Sequence, residues 1–357
     1  MSAYRTISST VGKHLKMTVF GGSHEPSVGV RLEGLPDGFS AADIDMEKLQ
    51  AFLARRAPGS TPYGTARKES DVPVLTSEDP LTFEIFNKDQ HSGDYKGLMN
   101  TPRPGHADYT AGLRYHGEIN MAGGGPFSGR MTAPLCIAGG IALQILAKKG
   151  IAIHAQLVEA GGVQSANVPP EDDPMYQRIL AAKADGDSVG GRVRCVVSGM
   201  PGGIGGAMYD GLESLLSPIV FGIPGVKGVS FGDGFAVCGM TGSENNDPFC
   251  IAPEKAAGAA CGENTVGGDS AAVKTATNHA GGILGGISTG MDIIMDVGFK
   301  PTPSIAKEQQ TVDLAAGKET TLTVGGRHDP CIAVRAVPVV EAAMALGLLD
   351  AMLDPSL

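Results

Sequence analysis

The chain has 357 residues, 42% of them hydrophobic and 18% charged, which describes a globular protein with a sizeable core and excludes a disordered one. A formal net charge of −10 at pH 7 excludes a general nucleic-acid binder. Glycine is the outlier at 52 residues; it falls in GG pairs and turns without a triplet period, so the collagen class is excluded as well.

The first sixteen residues, MSAYRTISSTVGKHLK, lack the apolar segment of a signal peptide. The longest apolar stretch, 133–143, falls short of the roughly 18 to 20 residues that a membrane span needs. Six cysteines (136, 195, 238, 250, 261 and 331) form no CxxC pair and no metal-ligand spacing, and several sit in apolar runs. Reduced, buried thiols in a cytoplasmic protein fit this usage.

In chain order, LKMTVFGGSHEPSVGVRLE (15–33) reads as two strands joined by a polar turn that carries His24 between glycines and Pro26. A histidine on such a loop is well placed for chemistry, although a lone loop histidine is more often structural. Asp43 is expected to cap a helix running through Arg56, because Met46, Leu49, Phe52 and Leu53 recur at helical spacing. Short strands are expected at VPVL (72–75) and LTFEIF (81–86).

The stretch RPGHADYTAGLRYHGEINMAGGGPFSGR (103–130) places Arg103, His106, Asp108 and Arg130 around three successive glycines, and an apolar helix follows from Thr132 to Leu146. Bare backbone, cations, an imidazole and a helix start are what an anionic ligand needs; a surface loop leading into a core helix explains the same residues equally well. That helix is rich in Ala and Gly on all sides, which marks it as buried.

A strand is expected at 151–164, a helix from Asp173–Pro174 to about Ala184, and a half-buried strand at GRVRCVVSGM (191–200). GGIGG (202–206) precedes a helix ending near 221, but it lacks the framework of a nucleotide-phosphate cradle. VKGVSFGDGFAV (226–237) reads as a strand pair, 245–278 as a long excursion, and 281–305 as strands with glycine kinks. The chain closes with a strand, a charged loop and an apolar helix. Without βαβ alternation, repeat or linker, the expectation is one α+β domain over 1–357, with antiparallel sheets packed on helices. Basic residues bunch at Arg55–Arg56, Arg67–Lys68, Arg192 with Arg194, and Arg327 with Arg335, enough to focus a local field on a small polyanion.

RPGHADYT (103–110), DSVGGRV (187–193), NHAGGILGGIS (278–288), KPTPSI (300–305) and GRHDPC with RAVP and EA (326–342) together resemble the chorismate synthase family, from about residue 10 to 350. The resemblance implies antiparallel sheets sandwiching a helical core, a homotetramer, and 1,4-trans elimination of phosphate from 5-enolpyruvylshikimate 3-phosphate. It implies reduced FMN as cofactor, with an external source of reducing equivalents. It puts catalysis on His24, His106 and Asp329, substrate binding on Arg56, Arg130 and Arg335 with Arg55 as a further candidate, and flavin contacts on Ser128, Gly285, Lys300, Thr302, Ser304 and Arg327. His279 and His328 are expected to support the site, while His14, His91, His116 and His154 match no catalytic position. The resemblance implies no metal, nucleic acid or membrane partner.

The chain departs from the family in FGGSHE for FGESHG, GGGPFSGRMT for GGGRSSARET, Pro62 for a basic residue and PGVKG for NAVKG. These departures leave a second reading open: a relative that binds flavin or a small polyanion without catalysis.

Overall fold

The structure, a computed structural model, describes residues 4–59, 61–64, 71–87, 100–251, 273–326 and 328–356. The first half contains β1 (Ser8–Val11), β2 (Lys16–Gly21), β3 (Ser27–Glu33), α1 (Met46–Arg56), β4 (Val74–Glu78) and β5 (Leu81–Phe86), then α2 (Asp108–Tyr115) and α3 (Thr132–Lys148). After these come β6 (Ala152–Ala160), β7 (Val163–Gln164), α4 (Pro174–Ala184), β8 (Gly191–Ser198), α5 (Leu212–Phe221), β9 (Val226–Phe231) and α6 (Gly242–Asn245). The chain ends with β10 (Phe249–Ile251), β11 (Val273–Thr275), β12 (Ile283–Leu284), β13 (Ile287–Ser288), β14 (Ile293–Phe299), β15 (Glu308–Asp313), β16 (Lys318–Thr323) and α7 (Ala333–Met352).

Two five-stranded sheets, ordered β1-β2-β3-β5-β4 and β7-β6-β8-β14-β9, are antiparallel at every pairing. Interior strands bury alternate side chains: Val28, Val30 and Leu32 on β3, and Val193, Cys195 and Val197 on β8. Both inner faces pack on a middle layer in which α3 and α7 lie side by side, with α1 and α5 against them. This is the sandwich of antiparallel sheets around helices that the motifs led us to expect.

Small residues set the spacing of that layer. A Cβ added at Gly139 of α3 would fall 2.2 Å from Ala342 Cβ of α7, so only glycine lets the two backbones approach this closely. By length and apolarity alone the segment Gly129–Lys148 is able to cross a membrane, but 78% of it is buried inside the fold, where it serves as a core helix.

Buried carboxylates tie α7 to its surroundings. Glu341 accepts two hydrogen bonds from Arg55 (2.7 and 2.9 Å) and one from the Ala155 amide (2.9 Å). Asp350 accepts from the amides of Lys13, His14 and Leu15 in the β1–β2 turn. Buried charges satisfied in this way hold elements in register rather than leave an unpaired ion in the core.

Three local expectations are corrected. Asp45, not Asp43, caps α1, accepting from the Lys48 amide at 3.0 Å; Asp43 closes a separate 3-10 turn with Ser40. Only the first half of 226–237 is a strand; 234–239 is a 3-10 turn with Phe235 86% exposed. The 245–278 excursion contains the β10–β11 pair, and its residues 252–272 lie outside the described residues.

Candidate active site

The β2–β3 turn presents His24. Ser23 donates to the Ala122 carbonyl at 3.0 Å, Asn120 donates to the His24 carbonyl at 3.2 Å, and Asn87 donates to the carbonyls of Gly22 and Glu25 at 3.1 and 2.8 Å. The turn is therefore fastened to the glycine run, whose three residues all have positive φ. The tight fit demands glycine: a Cβ at Gly123 would lie 2.3 Å from the His24 ring, and one at Gly124 would lie 3.3 Å from His106 Nε2. Two imidazoles thus share one bare stretch of backbone.

His106 sits on the loop before α2. Arg103 folds back over that loop with a fork onto Asp108 (Nε to Oδ2 2.7 Å, Nη2 to Oδ1 2.8 Å), and His106 Nδ1 lies 2.8 Å from Asp108 Oδ1. Burial alone would raise the Asp108 carboxyl, but the hydrogen bonds and charges of Arg103 and His106 outweigh it and hold the group well below the usual carboxylate range. The loop after β14 clasps the same segment: Arg103 donates to Ser304 Oγ at 3.1 Å, and Lys300 Nζ donates to the Gly105 carbonyl. RPGHADY and KPTPSI, 195 residues apart between Gly105 and Lys300, are one structural unit.

A second cluster centres on Asp71, a fully buried carboxylate that Arg56 and Arg130 share. Arg56 also donates to Thr132 Oγ1 (3.0 Å) and the Gly129 carbonyl (3.1 Å), and only 2% of it is exposed. Arg130 also donates to Asn87 (3.2 Å), and Ser128 caps its turn by accepting from the Arg130 amide. Arg335 pairs with Asp329 at 2.8 Å, and burial pushes its guanidinium below the usual range. Lys300 is lowered by burial and by its neighbour Lys227, two like charges held close together.

Members of both clusters line one cavity of about 660 Å³, within the span of about 300 to 1,000 Å³ usual for small-molecule sites. Its described lining carries six basic side chains (Arg56, Arg103, Arg130, Lys227, Lys300 and Arg335) against one acidic one, Asp329, in a chain whose net charge is −10. The site is therefore built for an anion. Phe127, Pro224, Val226 and Ile332 add apolar side chains to the lining, and Thr302 contributes a buried hydroxyl oxygen that has no hydrogen-bond partner among the described residues. An orphaned hydroxyl, apolar side chains and two lysines on the same lining suit an anionic ligand that carries an apolar part. Among the described residues no cluster of metal-ligating side chains occurs.

His24, His106, Asp329, Arg56, Arg130, Arg335, Ser128, Lys300, Thr302 and Ser304 all border this cavity. Gly285 does not: it occupies the turn between β12 and β13, away from the cavity lining of this chain. Arg55 also points elsewhere, into its pair with Glu341. Arg327 lies outside the described residues. Of the departures from the family pattern, Pro126, Phe127, Pro224 and Gly225 line the cavity, whereas Glu25 lies outside its lining and accepts from Thr6 at 3.0 Å. Asp71 has no counterpart in the sequence reading, which placed Arg103 and Asp108 only among the surroundings of an anion loop and did not foresee their grip on His106.

A sequence profile of the chorismate synthase family matches residues 15–353. The chorismate synthase of Thermococcus gammatolerans is 40% identical over 365 residues, covering 96% of this chain and 97% of the relative. That of Chitinophaga pinensis is 40% identical over 356 residues, covering 97% and 96%. A crystal structure of a chorismate synthase superposes with a TM-score of 0.68 over 96% of this chain and 93% of that one; at 20% identity it bears on the fold alone. The chain belongs to the chorismate synthase family, carbon–oxygen lyases of aromatic amino acid biosynthesis that release phosphate from 5-enolpyruvylshikimate 3-phosphate to give chorismate.

Proposed function

We propose that this cavity carries out the elimination within one catalytic domain spanning 1–357, with reduced FMN as its cofactor. The observation that carries the reading is the meeting of His24 and His106 on the glycine run, in a cavity ringed by arginine and lysine. Arg130 and Arg335 bind the substrate's phosphate and carboxylates through their planar forks. Arg56, with its donors engaged by Asp71, Thr132 and Gly129, holds Arg130 and the turn before α3 in place. His24 donates a proton to the departing phosphate or stabilises its negative charge, and His106, on the same glycine run, stabilises negative charge that develops during the reaction. Asp329, held by Arg335, relays a proton within the same cavity. When bound, reduced FMN supplies transient electron donation, and Ser128, Lys300 and Thr302 are the residues that hold it. The external reductant, a homotetrameric assembly and a cytoplasmic location belong to the same proposal; the buried thiols Cys136, Cys195 and Cys331 support a reducing compartment.

Titration of the protein with FMN tests the cofactor assignment. Thr302→Val keeps the shape and removes the hydroxyl, and should weaken FMN binding by about 0.5–1.5 kcal/mol. Unchanged affinity would remove Thr302 from the cofactor site.

A further inference from the structure

We infer that Asp108, locked by Arg103, selects the tautomer of His106 and so decides which nitrogen the imidazole offers to the cavity. The inference rests on the role proposed for His106. Two groups compete for Nδ1. Asp108 Oδ1 lies 2.8 Å away, and Arg103 Nη2 lies 3.1 Å away. If Nδ1 carried the lone pair, it would face an anionic oxygen at 2.8 Å, a repulsive contact at the shorter of the two distances. If Nδ1 carries the proton, it makes a charge-assisted bond to Asp108, and the longer Arg103 contact gives way.

The carboxylate cannot turn to avoid the choice. Arg103 grips both of its oxygens, with Nε on Oδ2 at 2.7 Å and Nη2 on Oδ1 at 2.8 Å, and the Arg103 amide adds a third bond at 3.1 Å. Arg103 is itself 6% exposed and pinned by Ser304. Charge balance points the same way: the Arg103–Asp108 pair is neutral overall, so it fixes direction and proton position without forcing a full charge onto the ring. Among the described residues, Lys300 on the Gly105 carbonyl, His24 on Gly123, and Tyr109 beside Asp108 are further titratable groups around this loop. With Nδ1 committed, Nε2 faces the Gly124 side of the site as an acceptor, and becomes a donor on protonation. Asp108 and Arg103 are therefore positioning residues, acting on the reaction through His106.

The test is nitrogen-15 NMR of imidazole-labelled full-length protein, read with the ring in its neutral form and without substrate. Wild type should carry the His106 proton on Nδ1. Asp108→Asn turns an N–H toward the ring or frees it, and should move the proton to Nε2 in at least half the molecules. In the same variant kcat should fall ten-fold or more, with KM for substrate within three-fold of wild type. Arg103→Lys keeps the charge but loses the fork; it should give an intermediate tautomer ratio and supplies the test if Asp108→Asn fails to fold. A wild-type proton on Nε2, or a wild-type tautomer in both variants, would overturn the lock. A shifted tautomer with unchanged kcat would uphold the lock and overturn the proposed role of His106.

Discussion

Asp71 shows how a residue with no signature in the sequence can organise a site. It stands 15 positions from Arg56 and 59 from Arg130, and no spacing rule joins the three. Yet one fully buried carboxylate orients both guanidiniums. Asp71→Asn should cost about 3–5 kcal/mol of stability, because it leaves buried cations without their counter-charge, and should raise KM for substrate; urea midpoints and initial rates measure the two. His106→Ala should lower turnover on the order of 10²-fold with the fold intact, as expected for a group that moves or stabilises a proton; an unaffected rate would return His106 to a structural part. Asp108 also has a consequence for stability. Its carboxyl is held below the unfolded value of about 3.9, so the contribution is fully present above about pH 4 and is lost as pH falls toward the depressed folded value. Asp108→Asn should therefore flatten the acid side of a stability-against-pH curve while changing the slope above pH 6 little. That His106, Asp329 and Arg335 would gather at one cavity was legible because they stand inside long motifs, and His24 and Arg130 because they persist within FGGSHE and GGGPFSGR, which otherwise depart from the family pattern. Asp71 was not, since its partners are supplied by tertiary folding alone.

The elements divide by how their hydrophobic pattern relates to burial. α3 and α7 were legible because apolar and small residues fill every face, and β3 and β8 because their apolar residues alternate. α2 was missed: DYTAGLRY buries only Ala111, so no apolar stripe announces a helix. Its first residue, Asp108, is there to hold His106 and not to fill a core. The 234–239 turn was misread because GFAV alternates like a strand although Phe235 is left in solvent. The small-residue packing of α3 on α7 can be tested at Gly139. Gly139→Leu should cost about 1–3 kcal/mol or more through overpacking against Ala342, seen as a lower thermal midpoint. Gly112→Ala in α2, where a Cβ meets nothing within 4 Å, should be neutral or stabilising and serves as the control.

At the scale of the whole molecule, the sandwich delivers four distant segments to one cavity. The β2–β3 turn brings His24, the loop before α2 brings His106, the turn before α3 brings Arg130, and the start of α7 brings Arg335 with Asp329. The segments are short and contain glycine or proline, and hydrogen bonds fix them to distant parts of the chain: Ser23 to Ala122, Arg103 to Ser304, Arg335 to the Arg56 carbonyl. This explains why the motifs lie far apart in the chain and still belong together. Pro126 and Phe127, which depart from the family pattern, lie on the lining beside Ser128; any cost to cofactor binding should show there as a weaker affinity for FMN, with the acid–base groups unaltered. The measurement that bears most directly on the account is anaerobic release of inorganic phosphate from 5-enolpyruvylshikimate 3-phosphate, with FMN chemically reduced beforehand. The account predicts stoichiometric phosphate and chorismate with no net consumption of reduced flavin, and a fall on the order of 10²-fold in His106→Ala. Folded protein that binds reduced FMN and substrate yet releases no phosphate would contradict it.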